Sequence, residues 1–254
     1  YKLSCEVPDK ALKLADKFWP GPLTMILKKS DIVPDSITGG LGTVAIRMPS
    51  HKVAAELIRT SGVYIAAPSA NTSGKPSPTR ASHVIKDLSG KIDMIIEDDT
   101  VDIGVESTII DLSEEVPTIL RPGYITKEMF EEVIGGVRID PAITEGVKSG
   151  VVPKAPGMKY KHYAPQAAMY LIEGPEAAQG VVQAVKLALA TGGKVGVVAS
   201  DETIAQLPQS TQLICHSWEN TQKDMAEKLF TYLRRFDGEK VDFIIGQGTS
   251  EHNL

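Results

Sequence analysis

The chain has 254 residues, of which 42% are hydrophobic and 23% charged, and its net charge is −5. This composition fits one large domain or two of ordinary size, and the acidic balance disfavours a protein that binds nucleic acid by neutralising phosphates. No apolar run reaches the ~18 residues of a membrane helix, and the first residues, YKLSCEVPDK, show no signal peptide. Cys5 and Cys215 lack metal-ligand spacing, so we expect reduced thiols in a cytoplasmic protein.

Helix and strand patterns run through the first 150 residues. Apolar residues at helical spacing predict helices at 8–19, 51–60 and 79–88. Short apolar runs predict strands at 23–27, 43–48, 63–65, 94–96 and 107–111. Because helices and strands do not alternate strictly, we expect an α/β domain with a mixed twisted sheet rather than a regular βαβ repeat.

The segment 151–166, VVPKAPGMKYKHYAPQ, interrupts this pattern and predicts an extended linker. Beyond it, strands are predicted at 168–172, 194–199, 212–215 and 241–245. Helices are predicted between them at about 175–190, 201–206 and 221–236. This alternation is typical of a smaller Rossmann-like parallel α/β domain. No G-x-G-x-x-G follows its first strand, so dinucleotide binding is not predicted.

A loop rich in small and polar residues, AAPSANTSGKPSPT at 66–79, follows the predicted strand 63–65. Ligands of α/β sheets bind at strand ends, and hydroxyls, an amide and backbone N–H groups can hold phosphate or carboxylate oxygens. Three prolines stiffen the loop. The same composition is typical of a surface turn, which composition alone slightly favours.

Two arginines stand at the ends of short apolar runs, Arg47 and Arg121. Arginine is rarely buried without a partner, and its guanidinium suits a carboxylate or a phosphate. For Arg47 an internal ion pair is an equally good interpretation. Ser107 and Thr108, at a predicted strand start, could donate to an anion, although hydroxyls at such positions are commonly structural.

The other candidate groups are less specific. One acidic cluster could hold Mg²⁺, although a solvated loop is the favoured interpretation: Asp98, Asp99, Asp102 and Glu106. Rings in the linker could stack on a purine or anchor the linker: Tyr160, His162 and Tyr163. The sequence contains no nucleophile elbow, no HExxH and no GxxxxGK[ST], so positioning and charge neutralisation are the chemistry that its residues indicate.

Six strings occur in order: KFWPGPLT, GTVAIRMPSH, IAAPSANTSGKPSPT, GVESTIID, LRPG and APGMKYKHYAP. Together they resemble the threonylcarbamoyl-AMP synthase family of YrdC-like proteins, in the form that has a C-terminal Rossmann-like domain. The resemblance covers nearly the whole chain. It implies a YrdC-like catalytic domain at 1–150, a linker at 151–166 and a Rossmann-like domain at 167–254.

The resemblance also implies an activity, that of a cytoplasmic nucleotidyltransferase. L-threonine, bicarbonate and ATP, with Mg²⁺ expected, would give L-threonylcarbamoyladenylate and pyrophosphate. A threonylcarbamoyl transferase would then modify tRNA to N6-threonylcarbamoyladenosine, and contact with tRNA is a further expectation. Attack of a threonylcarbamate oxygen on the α-phosphorus would depend on positioning and electrostatics, with the linker as a lid over the intermediate.

Site residues follow from the same motifs. The residues expected to bind threonine are Arg47, Ala67 and Ser107. The residues expected to contact ATP are Thr43, Ser69, Asn71, Ser77, Arg121 and one or both of Tyr160 and Tyr163. No residue is implied as a general acid or base.

The sequence departs from the family at its start. Family members carry a PTETVYGL-like strand and a lysine/arginine segment ahead of the WPGP motif, and this sequence contains neither. We therefore expect that an N-terminal segment of roughly 90 residues is missing, which would leave the site incomplete and puts the activity of this polypeptide in doubt.

The alternative to an enzyme is an RNA-binding module for tRNA or double-stranded RNA. Its basic stripe could consist of Lys28, Lys29, Lys75, Arg80, Lys86 and Lys91. The near-neutral charge of the first domain favours the enzyme.

Overall fold

The computed structural model describes residues 2–98, 103–145, 164–218 and 222–248. The described residues form two compact units. The first unit takes in those of Tyr1–Pro68 and Glu106–Lys161, and the second those of Ser69–Val105 and His162–Asn253. The predicted linker lies mostly outside the described residues, and the domain boundaries stay a prediction.

The helices, in chain order, are α1 (Asp9–Phe18), α2 (Asp35–Thr38), α3 (Lys52–Ser61), α4 (Ala81–Leu88), α5 (Lys127–Ile134), α6 (Ala142–Glu145), α7 (Ala177–Ala190), α8 (Asp201–Ile204) and α9 (Gln222–Glu239). The strands are β1 (Leu23–Lys28), β2 (Thr43–Arg47), β3 (Thr108–Asp111), β4 (Thr118–Arg121), β5 (Arg138–Ile139), β6 (Ala168–Ile172), β7 (Val195–Ala199), β8 (Leu213–Ser217) and β9 (Phe243–Gln247). Among the helices of the described ranges, none has both the length and the apolar content needed to cross a membrane.

The first unit is built on a mixed sheet in the order β2-β1-β3-β4-β5. Strand β1 runs antiparallel to β2 and parallel to β3, and β3 runs antiparallel to β4. The carboxyl ends of β2 and β4 therefore lie at the same end of the sheet as the amino ends of β1 and β3. This end carries the candidate site.

Central strand β1 is buried on both faces, as expected for a continuous apolar run. On one face Met25 packs in a cluster with Leu14 of α1 and Phe130 of α5. On the other face Ile26 packs with Ile109. Each of these side chains contributes about 1.5–3 kcal/mol through its burial, so the core holds β1 and β3 firmly in register.

Two predicted strands, 63–65 and 94–96, are absent from the structure, and these predictions are wrong. Both segments lie outside any strand, and most of their side chains are exposed, to 59% at Tyr64 and 76% at Met94. An apolar run forms a strand only beside another strand that bonds its backbone groups, and the described residues provide no such neighbour here. The polar loop at 66–79 consequently follows an unpaired segment.

The second unit contains a parallel sheet in the order β6-β9-β7-β8, which confirms the predicted Rossmann-like α/β arrangement. Strand β7 is buried at every position. Val185 of α7 and Phe236 of α9 are fully buried in the core of this unit, together with Val197 and Ile244. Helix α4 and the loop at 69–79 belong to this unit as well.

Candidate functional site

Two arginines end strands at the same end of the first sheet. Arg47, the last residue of β2, lies opposite Thr24 of β1, and Thr24 in turn lies opposite Ile109 of β3. Arg121, the last residue of β4, also lies opposite Ile109. These residues lie side by side on four adjacent strands, so the Cα atoms of Arg47 and Arg121 are about 14 Å apart. Two long side chains at this separation can converge on one ligand.

Arg121 is oriented by the residue that precedes β3. Its Nε and Nη2 atoms donate to the carbonyl oxygen of Ser107 at 3.1 and 2.8 Å, and Nη2 also lies 3.0 Å from the Ser107 hydroxyl. That hydroxyl is 2.8 Å from the hydroxyl of Thr24. The structure therefore brings a guanidinium and two hydroxyls together in one hydrogen-bonded group.

Arg47 is anchored by the segment before β1. Its Nε atom donates to the carbonyl oxygen of Gly21 at 3.2 Å. Burial lowers the pKa of Arg47, and the positive charge of Arg121 lowers it further. Because arginine stays protonated in proteins, two like charges remain close together at this end of the sheet. A bound carboxylate or phosphate would offset their repulsion.

Backbone contacts of the WPGP motif connect the residue after β2 and the start of β3 to the segment before β1, and the LRPG turn packs against the chain beside Ser107. The Gly21 N–H donates to Met48 O at 2.8 Å, and the Thr108 N–H donates to Pro22 O at 3.0 Å. A Cβ atom on Gly123 would stand 2.4 Å from Glu106 O, so only glycine lets the LRPG turn lie against the chain beside Ser107.

Sequence reasoning missed Thr24, Gly21 and Gly123 as parts of this site. One signal was available for Thr24, the only polar residue of the predicted strand 23–27. The two glycines act through close backbone approach, which depends on the strand register. Thr108, considered as an anion donor, has a structural role: its buried hydroxyl donates to Ile125 O at 2.8 Å and accepts from Ile125 N–H at 2.9 Å.

The structure does not bring every predicted residue of the first unit to this end of the sheet. Thr43, the first residue of β2, lies opposite Lys28 at the other end of the strand. Ala67 is exposed, outside any helix or strand. Their predicted contacts with ATP and threonine stay predictions.

Three predicted ATP contacts lie in the second unit, in the loop at 69–79. The side-chain amide of Asn71 donates to Thr72 O at 2.9 Å and to Lys75 O at 3.3 Å, which folds the loop onto itself. Within the described part of the chain, the buried Oδ1 atom of Asn71 has no hydrogen-bond partner. Ser69 is exposed and Ser77 half-buried. The roles of Ser69, Asn71 and Ser77 stay predictions.

Other candidates lie wholly or partly outside the described residues. The linker tyrosines Tyr160 and Tyr163 lie outside the described residues, and so do two members of the acidic cluster, Asp99 and Asp102. Within the ranges that the structure covers, no group of three or more His, Cys, Asp or Glu side chains could hold a metal ion. The described residues therefore define no Mg²⁺ site.

The fold and the site define an α/β protein with a cationic, hydroxyl-lined site at one end of a mixed sheet. A family model described as the C-terminal domain of threonylcarbamoyl-AMP synthase matches residues 125–254. The Sua5/YciO/YrdC model, described as telomere recombination, matches residues 1–123. The chain belongs to the threonylcarbamoyl-AMP synthase family.

Individual relatives agree with the family match. The chain is 46% identical to a threonylcarbamoyl-AMP synthase of Pyrococcus abyssi, over 99% of this chain and 72% of the relative. It is 44% identical to the Bacillus subtilis synthase, over 96% of this chain and 69% of the relative. The crystal structure of Pyrococcus abyssi Sua5 complexed with L-threonine superposes with a TM-score of 0.91 at 45% identity, covering 99% of this chain and 72% of that one. The predicted family and fold class are confirmed.

Proposed function

We infer that the protein is an L-threonylcarbamoyladenylate synthase, a nucleotidyltransferase that acts in tRNA modification. The observation that carries this inference is the pair of anchored arginines, Arg47 and Arg121, with the Ser107 hydroxyl in a chain 46% identical to such a synthase. The reaction joins an anionic amino-acid derivative to an anionic nucleotide, and it therefore needs cationic groups that hold both.

Threonine is the first ligand that we assign to this site. Arg47 binds its carboxylate, because its Nε is tied to Gly21 O and the remaining N–H groups of the planar guanidinium can pair with carboxylate oxygens. Ser107 and Ala67 line the rest of the threonine pocket. The complex of a 45% identical protein with L-threonine supports this assignment.

ATP is the second ligand, and Arg121 is its contact in the first unit. Thr43, Ser69, Asn71 and Ser77 are further proposed contacts, as are Tyr160 and Tyr163. Threonine and bicarbonate first give threonylcarbamate and water. A carbamate oxygen then attacks the α-phosphorus, the new P–O bond forms, and the bond to pyrophosphate breaks. The arginines orient the reactants and offset the charge on the phosphate oxygens.

The wider reaction sequence is also proposed. Mg²⁺ would accompany ATP, as it does in phosphoryl transfer generally. The mixed anhydride is reactive, so a transferase that delivers the threonylcarbamoyl group to tRNA must consume it. Contact with tRNA and a cytoplasmic location remain predictions.

Release of pyrophosphate from ATP tests the proposal. We expect release to require both threonine and bicarbonate, and Arg47→Ala to lower kcat/KM for threonine about a hundredfold through loss of a charge-assisted contact. Arg59→Ala is the matched control, since Arg59 is an exposed arginine of the same unit that pairs with Glu56. Threonine-independent release would contradict the proposal. Salt-sensitive tRNA binding without any release would indicate the RNA-binding alternative.

A further inference from the structure

Helix α9 of the second unit carries a buried arginine that pairs with a buried aspartate of α4. The side chain of Asp87 is fully buried and that of Arg234 is 7% exposed, and the Arg234 Nη2 atom lies 2.9 Å from Asp87 Oδ2. Removing both charges from water has a large cost in free energy, and well-packed apolar side chains would join two helices at a lower cost. A pair of this kind therefore calls for an explanation beyond helix packing.

Both side chains of the pair are hydrogen-bonded to the loop at 69–79. The Nε and Nη2 atoms of Arg234 both donate to the carbonyl oxygen of Pro76, at 2.9 and 2.6 Å. The carboxylate of Asp87 accepts from Lys75 Nζ at 2.9 Å and from the Thr72 N–H at 3.3 Å. The pair thus contacts the loop at three residues, all between the proposed ATP contacts Asn71 and Ser77.

A second contact with α9 fixes the end of the loop. The buried hydroxyl of Thr79 lies 2.7 Å from the hydroxyl of Thr231, which precedes Arg234 by almost one helical turn. Pro76 and Pro78 lack N–H groups, so this stretch of loop cannot enter a regular backbone ladder. Its carbonyl oxygens accept hydrogen bonds from side chains instead. Arg234 donates to the carbonyl oxygen of Pro76, the residue directly before Ser77.

Asp87 remains charged under ordinary conditions. Burial would raise its pKa, but hydrogen bonds from Arg234 and Lys75 hold the pKa of the carboxyl well below its usual range. The contacts of the pair with the loop are therefore constant at neutral pH.

We propose that Arg234 is a positioning residue for ATP. Its guanidinium, paired with Asp87, donates two hydrogen bonds to Pro76 O and thereby pre-orders the loop that carries Asn71 and Ser77. Arg234 acts through the loop and does not itself contact the nucleotide. A loop that is already ordered loses less conformational entropy on binding, so affinity for ATP rises. This inference rests on the proposed function and gives the C-terminal Rossmann-like region a part in it.

Arg234→Lys tests the proposal, with Arg235→Lys as the matched control. Lysine keeps a positive charge beside Asp87 but cannot place two N–H groups on one carbonyl in the planar geometry of arginine. Arg235 is the next residue of the same helix and is exposed. In Arg234→Lys we expect the KM for ATP to rise about tenfold, as loss of one charge-assisted hydrogen bond implies, with the KM for threonine unchanged. We also expect faster amide hydrogen exchange at residues 72–79, whereas Arg235→Lys changes neither property.

Two results would overturn the proposal. One is an unchanged KM for ATP together with unchanged loop exchange in Arg234→Lys. The other is an equal loss of kcat/KM for both substrates with a lower Tm, which indicates a purely structural role. If the unmodified protein releases no pyrophosphate, the proposed function fails separately. The inference about Arg234 is then decided only by hydrogen exchange of the loop, measured with and without ATP. Slowing of the loop exchange that needs about tenfold more ATP in Arg234→Lys than in the unmodified protein supports it, and any other pattern refutes it.

Discussion

Arg47 donates to Gly21 O and Arg121 donates to Ser107 O, so a main-chain oxygen fixes each guanidinium before any ligand binds. These contacts set the direction of the positive charges at the end of the sheet. Electrostatic stabilisation is most effective when the groups that provide it need no rearrangement during the reaction. The site is therefore pre-oriented for anions at the level of single side chains.

His83 of α4 gives a test of the packing around the loop at 69–79. Its Nδ1 atom accepts from the Thr79 N–H at 3.2 Å. Burial lowers the pKa of His83 to about 4, and the nearby charges of Arg234 and Arg80 contribute in the same direction, against the opposing effect of Asp87. The unfolded chain takes up this proton near pH 6.5, whereas the folded chain does so only near pH 4. The contribution of His83 to the free energy of unfolding is therefore present in full above about pH 6.5, and it falls as the pH drops from there towards about 4.

We expect His83→Asn to weaken this pH dependence, because the asparagine Oδ1 atom retains an acceptor for Thr79 but does not titrate. Urea unfolding at about pH 5 and about pH 7 measures the effect. The unmodified protein should lose more free energy of unfolding between the two conditions than the variant. An equal loss in both proteins would show that His83 does not take up a proton on unfolding in this range.

At the scale of elements, the turn after β4 determines where Ser107 lies. Replacing Gly123 by alanine would place a Cβ atom 2.4 Å from Glu106 O and 2.7 Å from Thr108 N, both of them backbone atoms. The chain on either side of Ser107 must then move. We expect the free energy of unfolding to fall by about 1–3 kcal/mol and the KM for threonine to rise.

Urea unfolding and the pyrophosphate assay measure these two effects in Gly123→Ala. Gly136→Ala is the control, since a Cβ atom there would meet nothing within 4 Å. The control should stay within about 0.5 kcal/mol of the unmodified protein. A Gly123→Ala variant as stable and active as the control would mean that the turn does not position the site.

Elements with strong local patterns could be predicted from the sequence, and those that depend on a neighbour could not. Helix α1 is bounded by Pro8 and Trp19, and it follows its apolar periodicity closely. Residues 63–65 are just as apolar as β1, yet they remain unpaired, because pairing depends on which strand lies alongside.

The same reasoning separates the residues of the site. Arg47 and Arg121 could be identified because a charge at the end of an apolar run is unusual. The hydrogen bond between Thr24 and Ser107 could not, because these residues are far apart in sequence and meet only through the parallel pairing of β1 and β3.

At the scale of the whole molecule, each unit has its own core and its own proposed part in catalysis. The first unit presents Arg47 and Arg121 at one end of its sheet. The second holds the proposed ATP loop through Asp87 and Arg234. The chain spans about seven tenths of the length of the Pyrococcus abyssi and Bacillus subtilis relatives, and the family models match along both of its halves.

Transfer of carbon from bicarbonate into a nucleotide product tests the central claim most directly. The protein is incubated with ATP, L-threonine and isotopically labelled bicarbonate, and the nucleotides are separated and analysed by mass spectrometry. We predict a labelled threonylcarbamoyl-AMP that forms only when threonine is present and that Arg47→Ala strongly reduces. A nucleotide product without the label, or a labelled product that forms without threonine, would contradict the assignment.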